Sequence, residues 1–255
     1  MLIEELVVDP QIVMQARAET LTQRKARTPI EAVRALASMQ KRPLPFLNTV
    51  TDDSAMLLIG QVRYSQRTDG YDPVAMALRF AAAGADAIAL FTDDSLYPAD
   101  LDDLVMLSRA VSIPVIGQNY YTDEYQIVEA RAAGASALML YAGLVDHSLL
   151  RTLVSSTQRN RMTAVVEVHD LDELDYALGL SPYVISLSSA RPGQGPGAII
   201  NLHALRDRIP VGTHAILSDP LYTLDQVAAA RALHVEAVIV HESLLGLPGG
   251  LAQVR

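Results

Sequence analysis

From residue 55 onward, short unbroken apolar runs recur along the chain, each followed by a longer stretch with helical spacing of apolar positions. The runs are Met56–Gly60, Ala87–Phe91, Pro114–Gly117, Ala137–Tyr141, Ala164–Val168, Tyr183–Leu187, His214–Leu217 and Ala237–Val240. Runs that are continuously apolar, rather than alternating with polar residues, suit parallel strands buried on both faces. Eight such strand–helix units in 255 residues predict an α/β fold, a (βα)8 barrel, with chemistry at the C-terminal ends of its strands.

An internal echo fits this reading. Ala81-Ala-Ala-Gly-Ala-Asp-Ala87, Ala130-Arg-Ala-Ala-Gly-Ala-Ser-Ala137 and Ala230-Arg-Ala-Leu-His-Val-Glu-Ala237 each join a helix end to the next strand. Gly84 and Gly134 stand where a left-handed residue ends a helix. Shared loop geometry explains the echo without a repeat architecture. Helical patterning also covers 11–27 and 29–40, until Pro43 and Pro45 break it. The expected organisation is one domain, with a helical extension over 1–54 capping a barrel over 55–255. After Leu247-Pro-Gly-Gly250 little chain remains, so the eighth helix is expected to be short.

Charge and composition narrow the partners. A net charge of −9 supplies no basic stripe to displace counterions, which opposes nucleic acid and anionic membrane. With no cysteine, thiolate nucleophiles, disulfides and cysteine-ligated zinc are excluded. Early acids in Met1-Leu-Ile-Glu-Glu-Leu argue against a signal peptide, and no apolar run approaches a membrane span, so a cytoplasmic location is expected. Oligomeric state is not legible.

The segment from Pro114 to Ala135, Pro-Val-Ile-Gly-Gln-Asn-Tyr-Tyr-Thr-Asp-Glu-Tyr-Gln-Ile-Val-Glu-Ala-Arg-Ala-Ala-Gly-Ala, reads as a buried strand, a polar loop and a helix. It resembles the third strand, loop and helix of the indole-3-glycerol-phosphate synthase family, whose pattern there is Pro-Val-Leu-x-Lys-Asp-Phe-Ile-x-Asp-Glu-Tyr-Gln-Ile. Further similar words are Tyr71-Asp-Pro-Val-Ala, Phe91-Thr-Asp-Asp, Val166-Glu-Val-His-Asp-Leu and Thr223-Leu-Asp-Gln-Val. The resemblance covers roughly residues 15–245. It implies a TIM barrel of tryptophan biosynthesis, a carbon–carbon lyase that closes an indole ring from an anthranilate-bearing deoxyribulose phosphate with loss of CO₂ and water. No cofactor and no metal are implied.

The same comparison shows departures at the site. Where the family has Glu-x-Lys after the first strand, this chain has Gln61-Val-Arg63, an amide that cannot act as a base and a guanidinium that cannot give up its proton. Gln118 replaces the lysine that the family uses as general acid, while Tyr120 keeps an aromatic to pack on a substrate ring. Asn-x-Arg becomes Ser188-Ser189-Ala190, Ser-Glu-Ser-Gly becomes Ser218-Asp219-Pro220-Leu221, and Gly-Glu becomes His241-Glu242. Glu167 alone of the catalytic set is unchanged. The candidate catalytic residues are therefore Glu167 as base, Arg63 as anion clamp and Gln118 as a neutral donor; Gln61, Tyr120, Ser188, Asp219, His241 and Glu242 are candidates for binding substrate. The expected partner is a small anionic or aromatic ligand, a sugar phosphate among them, and the expected activity is weak, lost or retargeted. A barrel that only binds a ligand or a protein partner is the alternative.

Blander readings stand beside these. Glu167 is expensive to bury alone, so an ion pair with Arg63 across the mouth is expected. His169 reads as the entry to a helix capped by Asp170. His241, Glu242, Asp219 and His169 lack local ligand spacing, so no metal site is assigned. Arg191-Pro-Gly-Gln-Gly-Pro-Gly197 reads as a lid ahead of a phosphate cradle. Tyr64, Tyr120 and Tyr121 could line a pocket or simply pack. Pro220, Leu221 and His241 disturb the loops where such barrels hold phosphate on glycine-rich backbone.

Overall fold

The structure is a computed structural model that describes residues 10–47, 56–63, 71–92, 100–191 and 198–254. Its parallel strands are β1 (Leu57–Val62), β2 (Ala87–Phe91), β3 (Val115–Gln118), β4 (Ala137–Tyr141), β5 (Thr163–Val168), β6 (Val184–Leu187), β7 (His214–Leu221) and β8 (Ala237–Val240). They pair in sequence order and close through β1 and β8 into a barrel. The helices are α1 (Pro10–Arg27), α2 (Ile30–Met39), α3 (Pro73–Ala82), α4 (Leu101–Ala110), α5 (Glu124–Ala132), α6 (His147–Arg159), α7 (Leu171–Leu178), α8 (His203–Arg206) and α9 (Leu224–Ala232). The expected barrel is thus present, and the strands lie within one or two residues of their apolar runs except β7, which continues four residues past Leu217 to Leu221.

The runs are continuous because both faces of each strand are covered. Ile59, Ala89, Ile116, Met139, Val165, Ile216 and Ile239 fill the barrel interior. Their neighbours Leu58, Ile88, Leu138, Val166, Leu217 and Val238 point the other way, into the layer under the helices. Each large side chain buried in these layers contributes on the order of 1.5–3 kcal/mol. Gly60 interrupts the outer layer for a reason: a Cβ there would lie 2.4 Å from Cγ of Phe80, so its absence lets α3 close on β1.

The helix-to-strand echo is realised in the backbone. Gly84 and Gly134 adopt φ of 93° and 97°, and His234, at the matching place in the third echo, adopts φ of 53°. A side chain in the left-handed region is strained, and only the third copy carries one. We expect His234→Gly to raise unfolding free energy by ~0.5–1 kcal/mol, because relief of that strain exceeds the entropy glycine adds to the unfolded chain. Urea unfolding of the two proteins checks this.

The N-terminal helices dock on α5. Tyr125 donates its hydroxyl to the carbonyl of Thr28 at 2.8 Å, and the Arg131 guanidinium donates to Lys41 O at 2.7 Å. Leu21, Val33, Ala37, Tyr125 and Val128 form the apolar seam between them. Beyond α2, Leu44 N donates to Ser136 Oγ at 3.2 Å, and Phe46 and Leu47 join the interior cluster beside Ala87, Ala137, Val184 and Ala237. Those alanines and the valine begin their strands, so the segment seals the floor of the barrel, opposite the mouth. The division expected between 54 and 55 lies outside the described residues.

One expectation is corrected at the C-terminus. The short eighth helix is replaced by two 3₁₀ turns, Glu242–Gly246 and Gly250–Gln253. At their junction Pro248 and the left-handed Gly249 and Gly250 break any helical continuation. Among the described residues no helix is long and apolar enough to cross a membrane.

Candidate functional site

Side chains two apart on a strand share a face, so the interior layer continues upward from the apolar floor in register. Above Ile59, Ala89, Ile116, Met139, Val165, Val184, Ile216 and Ile239 stand Gln61, Phe91, Gln118, Tyr141, Glu167, Ser186, Ser218 and His241. Of these eight only Phe91 is wholly apolar, so the core turns largely polar toward the C-terminal ends of the strands. Gln61, Gln118 and Glu167 are only 8, 5 and 5% exposed. Arg63 follows β1, Tyr120 follows β3, Ser188 follows β6, Asp219 lies in the irregular end of β7, and His241 and Glu242 follow β8. All the sequence-derived candidates thus sit at one end of the barrel, with Glu242 exposed at its rim. Tyr64 and the Gly-rich segment 192–197 lie outside the described residues, as do Gln66, Arg67 and Thr68.

Glu167 is held differently from expectation. Its Oε2 accepts from the Ser218 hydroxyl at 2.7 Å, and its Oε1 lies 3.1 Å from Nε2 of His169. The second contact is an attraction of charge rather than a well-aligned hydrogen bond. His169 Nδ1 lies 3.0 Å from Glu173 Oε2, and the His169 backbone N–H donates to the same oxygen at 2.9 Å. Arg191 then bonds both Glu173 and Asp170. The result is a row of alternating charge, Glu167, His169, Glu173 and Arg191, running from the barrel interior to the loop after β6. Burial alone would lower the His169 pKa, but the close contacts and charge of the Glu167 and Glu173 carboxylates overturn it and raise the imidazole to about 9. Glu173 also suffers from burial, and His169 and Arg191 reverse that and hold its carboxyl down at about 2.

The expected Arg63–Glu167 pair is therefore corrected: the cation on Glu167 is His169. Strands β1 and β5 face each other across the barrel, so Arg63 would have to span the mouth, whereas His169 leaves the same strand two residues after Glu167. Arg63 instead lies with its guanidinium carbon 5.3 Å from the Phe91 ring centre. His169, Glu173 and Arg191 are the residues that sequence reasoning missed. The i, i+2 spacing of Glu167 and His169 and the i, i+4 spacing of His169 and Glu173 carried a usable signal, but no spacing pointed to Arg191.

Across the mouth lies an aromatic wall. Tyr120 meets Phe91 and Tyr141 edge to face, at 5.6 and 5.5 Å between ring centres. Burial, and then the negative charge of Glu167, push the Tyr141 phenol well above its usual range, so it remains a neutral donor. Among the described residues, Gln118 Oε1 on β3, next to this wall, and Ser186 Oγ on β6 are buried without a hydrogen-bond partner. A desolvated acceptor costs on the order of 1–3 kcal/mol when left unmet, which marks the place as one that expects a donor.

The β6–β8 side is self-satisfied instead. Ser188 donates its hydroxyl to Asp219 Oδ1 at 2.6 Å, and Ser189 N–H donates to Asp219 Oδ2 at 2.8 Å. His241 Nδ1 accepts from Ser243 N–H at 3.1 Å, and its ring lies 4.5 Å from that of Tyr222. Burial lowers the His241 pKa, with Glu242 opposing, so its imidazole is neutral near pH 7. Burial, and then the charge of Glu242, raise the Tyr71 phenol to about 12. Among the described residues, no group of three or more His, Asp or Glu side chains could hold a metal ion. A separate cleft on the outer side of β2 and β3 contains Arg24, Asn119, Tyr121 and Glu129, away from the interior row.

Comparison with known proteins agrees with the architecture. N-acetylmannosamine-6-phosphate 2-epimerase from Clostridium perfringens superposes with a TM-score of 0.59 at 15% identity, over 73% of this chain and 86% of that one, which shows the shared fold. Indole-3-glycerol phosphate synthase from Leifsonia xyli is 30% identical over 89% of each chain. A Streptomyces coelicolor protein named indole-3-glycerol phosphate synthase 2 is 34% identical over 71% of each. The family model described as indole-3-glycerol phosphate synthase matches residues 10–248. With an eight-stranded barrel closed in sequence order and a match over nearly its whole length, this chain belongs to the indole-3-glycerol phosphate synthase family.

Proposed function

We propose that the barrel mouth binds a small aromatic ligand and has lost the ordinary ring-closing chemistry of the family. The observation that carries this reading is the pair of buried amides at the strand ends, Gln61 on β1 and Gln118 on β3. Both stand where the resemblance implies a titratable group. An amide can orient a ligand but cannot deliver or remove a proton at neutral pH. Glu167 remains as a carboxylate, yet its two oxygens already face Ser218 and His169. It can accept a further hydrogen bond from a ligand, and its location beside Tyr141 suits a ring-bound donor. The aromatic wall of Phe91, Tyr120 and Tyr141 supplies the apolar surface on which a ring would stack.

Retargeted catalysis, with Glu167 as base and Arg63 stabilising charge, uses the same pocket and differs only in whether a proton moves. Complementation tests the loss of the family reaction, which both readings share. Expressed in a tryptophan-requiring strain that lacks its own synthase, the protein is expected not to restore growth, although it accumulates in folded form. Growth at the rate given by an authentic synthase would overturn the proposal.

A further inference from the structure

We infer that the ligand taken by this mouth is a non-phosphorylated aromatic carrying an N–H donor, because Asp219 fills from within the place where such barrels hold a phosphate. This rests on the reading of the mouth as a binding site and assigns the chemistry of what it binds. Barrels of this kind cradle phosphate on the loops after strands seven and eight, using main-chain N–H groups as donors. Here the N–H groups of Tyr222, His241 and Ser243 in those loops are already bonded within the protein.

The Asp219 carboxylate accepts from the Ser188 hydroxyl and the Ser189 N–H, as a bound anion would. Tyr222 N–H is capped by Gln226 Oε1 at 2.7 Å, His241 N–H by the Leu221 carbonyl at 2.9 Å, and Ser243 N–H by the His241 ring. Pro220 has no N–H to offer. An entering phosphate would have to break these bonds while approaching the charge of Asp219 and that of Glu242 at the rim. Like charge disfavours the complex, and the neutral His241 gives nothing in return.

The opposite side of the mouth asks for a different chemistry. Gln118 Oε1 is an acceptor in a side chain 95% buried by its 5% exposure, lying on the interior face with no partner. A flat ring against Tyr120 and Tyr141, with an N–H toward Gln118 or Glu167, meets both the apolar wall and the unmet acceptor.

The test uses calorimetric titration of the full chain at constant ionic strength with two probes, inorganic phosphate and indole as a neutral aromatic N–H donor. Wild type is expected to bind indole and to give no saturable phosphate binding. Gln118→Leu should weaken indole at least ~10-fold, the loss typical of a buried hydrogen bond. Asp219→Ser frees the Ser188 and Ser189 donors and should create phosphate binding at least ~10-fold tighter than in wild type. If Asp219→Ser fails to fold, Glu242→Gln at the exposed rim should still strengthen phosphate measurably. Phosphate bound by wild type as tightly as by Asp219→Ser overturns the inference, and so does indole binding that is absent or indifferent to Gln118→Leu. Phosphate binding without rescue of the tryptophan-requiring strain sinks the inference alone; phosphate binding with rescue sinks the proposed function as well.

Discussion

Purified protein is expected to convert the anthranilate deoxyribulose phosphate to indoleglycerol phosphate at least ~10²-fold more slowly than an ordinary synthase, since one positioned acid or base contributes ~10²–10⁴. Two such positions, Gln61 and Gln118, are neutral amides here, and Arg63 holds its proton permanently. Their losses need not multiply, because groups that act as a unit are not additive. For the same reason Gln118→Lys alone should recover less than ~10-fold: the new ammonium would enter a site 5% exposed, and Gln61 still supplies an amide where the family has a carboxylate. Fluorescence of the indole product gives the rate. Wild-type turnover in the usual range of ~1–10³ s⁻¹ would overturn the argument.

The same residues show what sequence could and could not supply. Strand positions were legible because a strand buried on both faces leaves an unbroken apolar run, and register then carried Gln61, Gln118 and Glu167 to one end of the barrel. The helix-ending glycines were legible because Gly84 and Gly134 stand where a left-handed residue is needed; His234 broke that rule and still adopts the conformation. Ion pairing was not legible in the same way. A buried carboxylate requires a cation, but pattern alone does not choose between Arg63 across the barrel and His169 on the same strand. Proximity along β5 decided it. Arg191 joined the row through loop geometry, which no periodicity encodes, and the phosphate loops filled themselves through contacts among β6, β7 and β8 that are far apart in the chain.

Alkaline pH is expected to weaken the fold through His169, which gives the row a measurable signature. The imidazole titrates near 6.5 when unfolded and near 9 when folded, so its stabilising contribution is complete below about pH 6.5 and is lost as pH rises through about 9. A shift of that size corresponds to ~3 kcal/mol, and the 4% exposure of the side chain leaves little solvent screening to reduce it. Glu173 runs in the opposite sense: held down near 2 from 4.5, it contributes fully above about pH 4.5 and loses that contribution as pH falls through about 2. The two shifts describe partly the same contact and are not summed. His169→Gln should therefore be less stable than wild type by roughly 3 kcal/mol near pH 6, with the gap closing above pH 9, where the native imidazole is also neutral. Glu173→Gln, leaving Glu167 as the one carboxylate on the ring, should move the alkaline loss to lower pH. Urea unfolding across pH 6 to 10 reads both effects, and a gap between wild type and His169→Gln that stays constant over that range would mean that the imidazole carries no charge and that Glu167 is held by Ser218 alone.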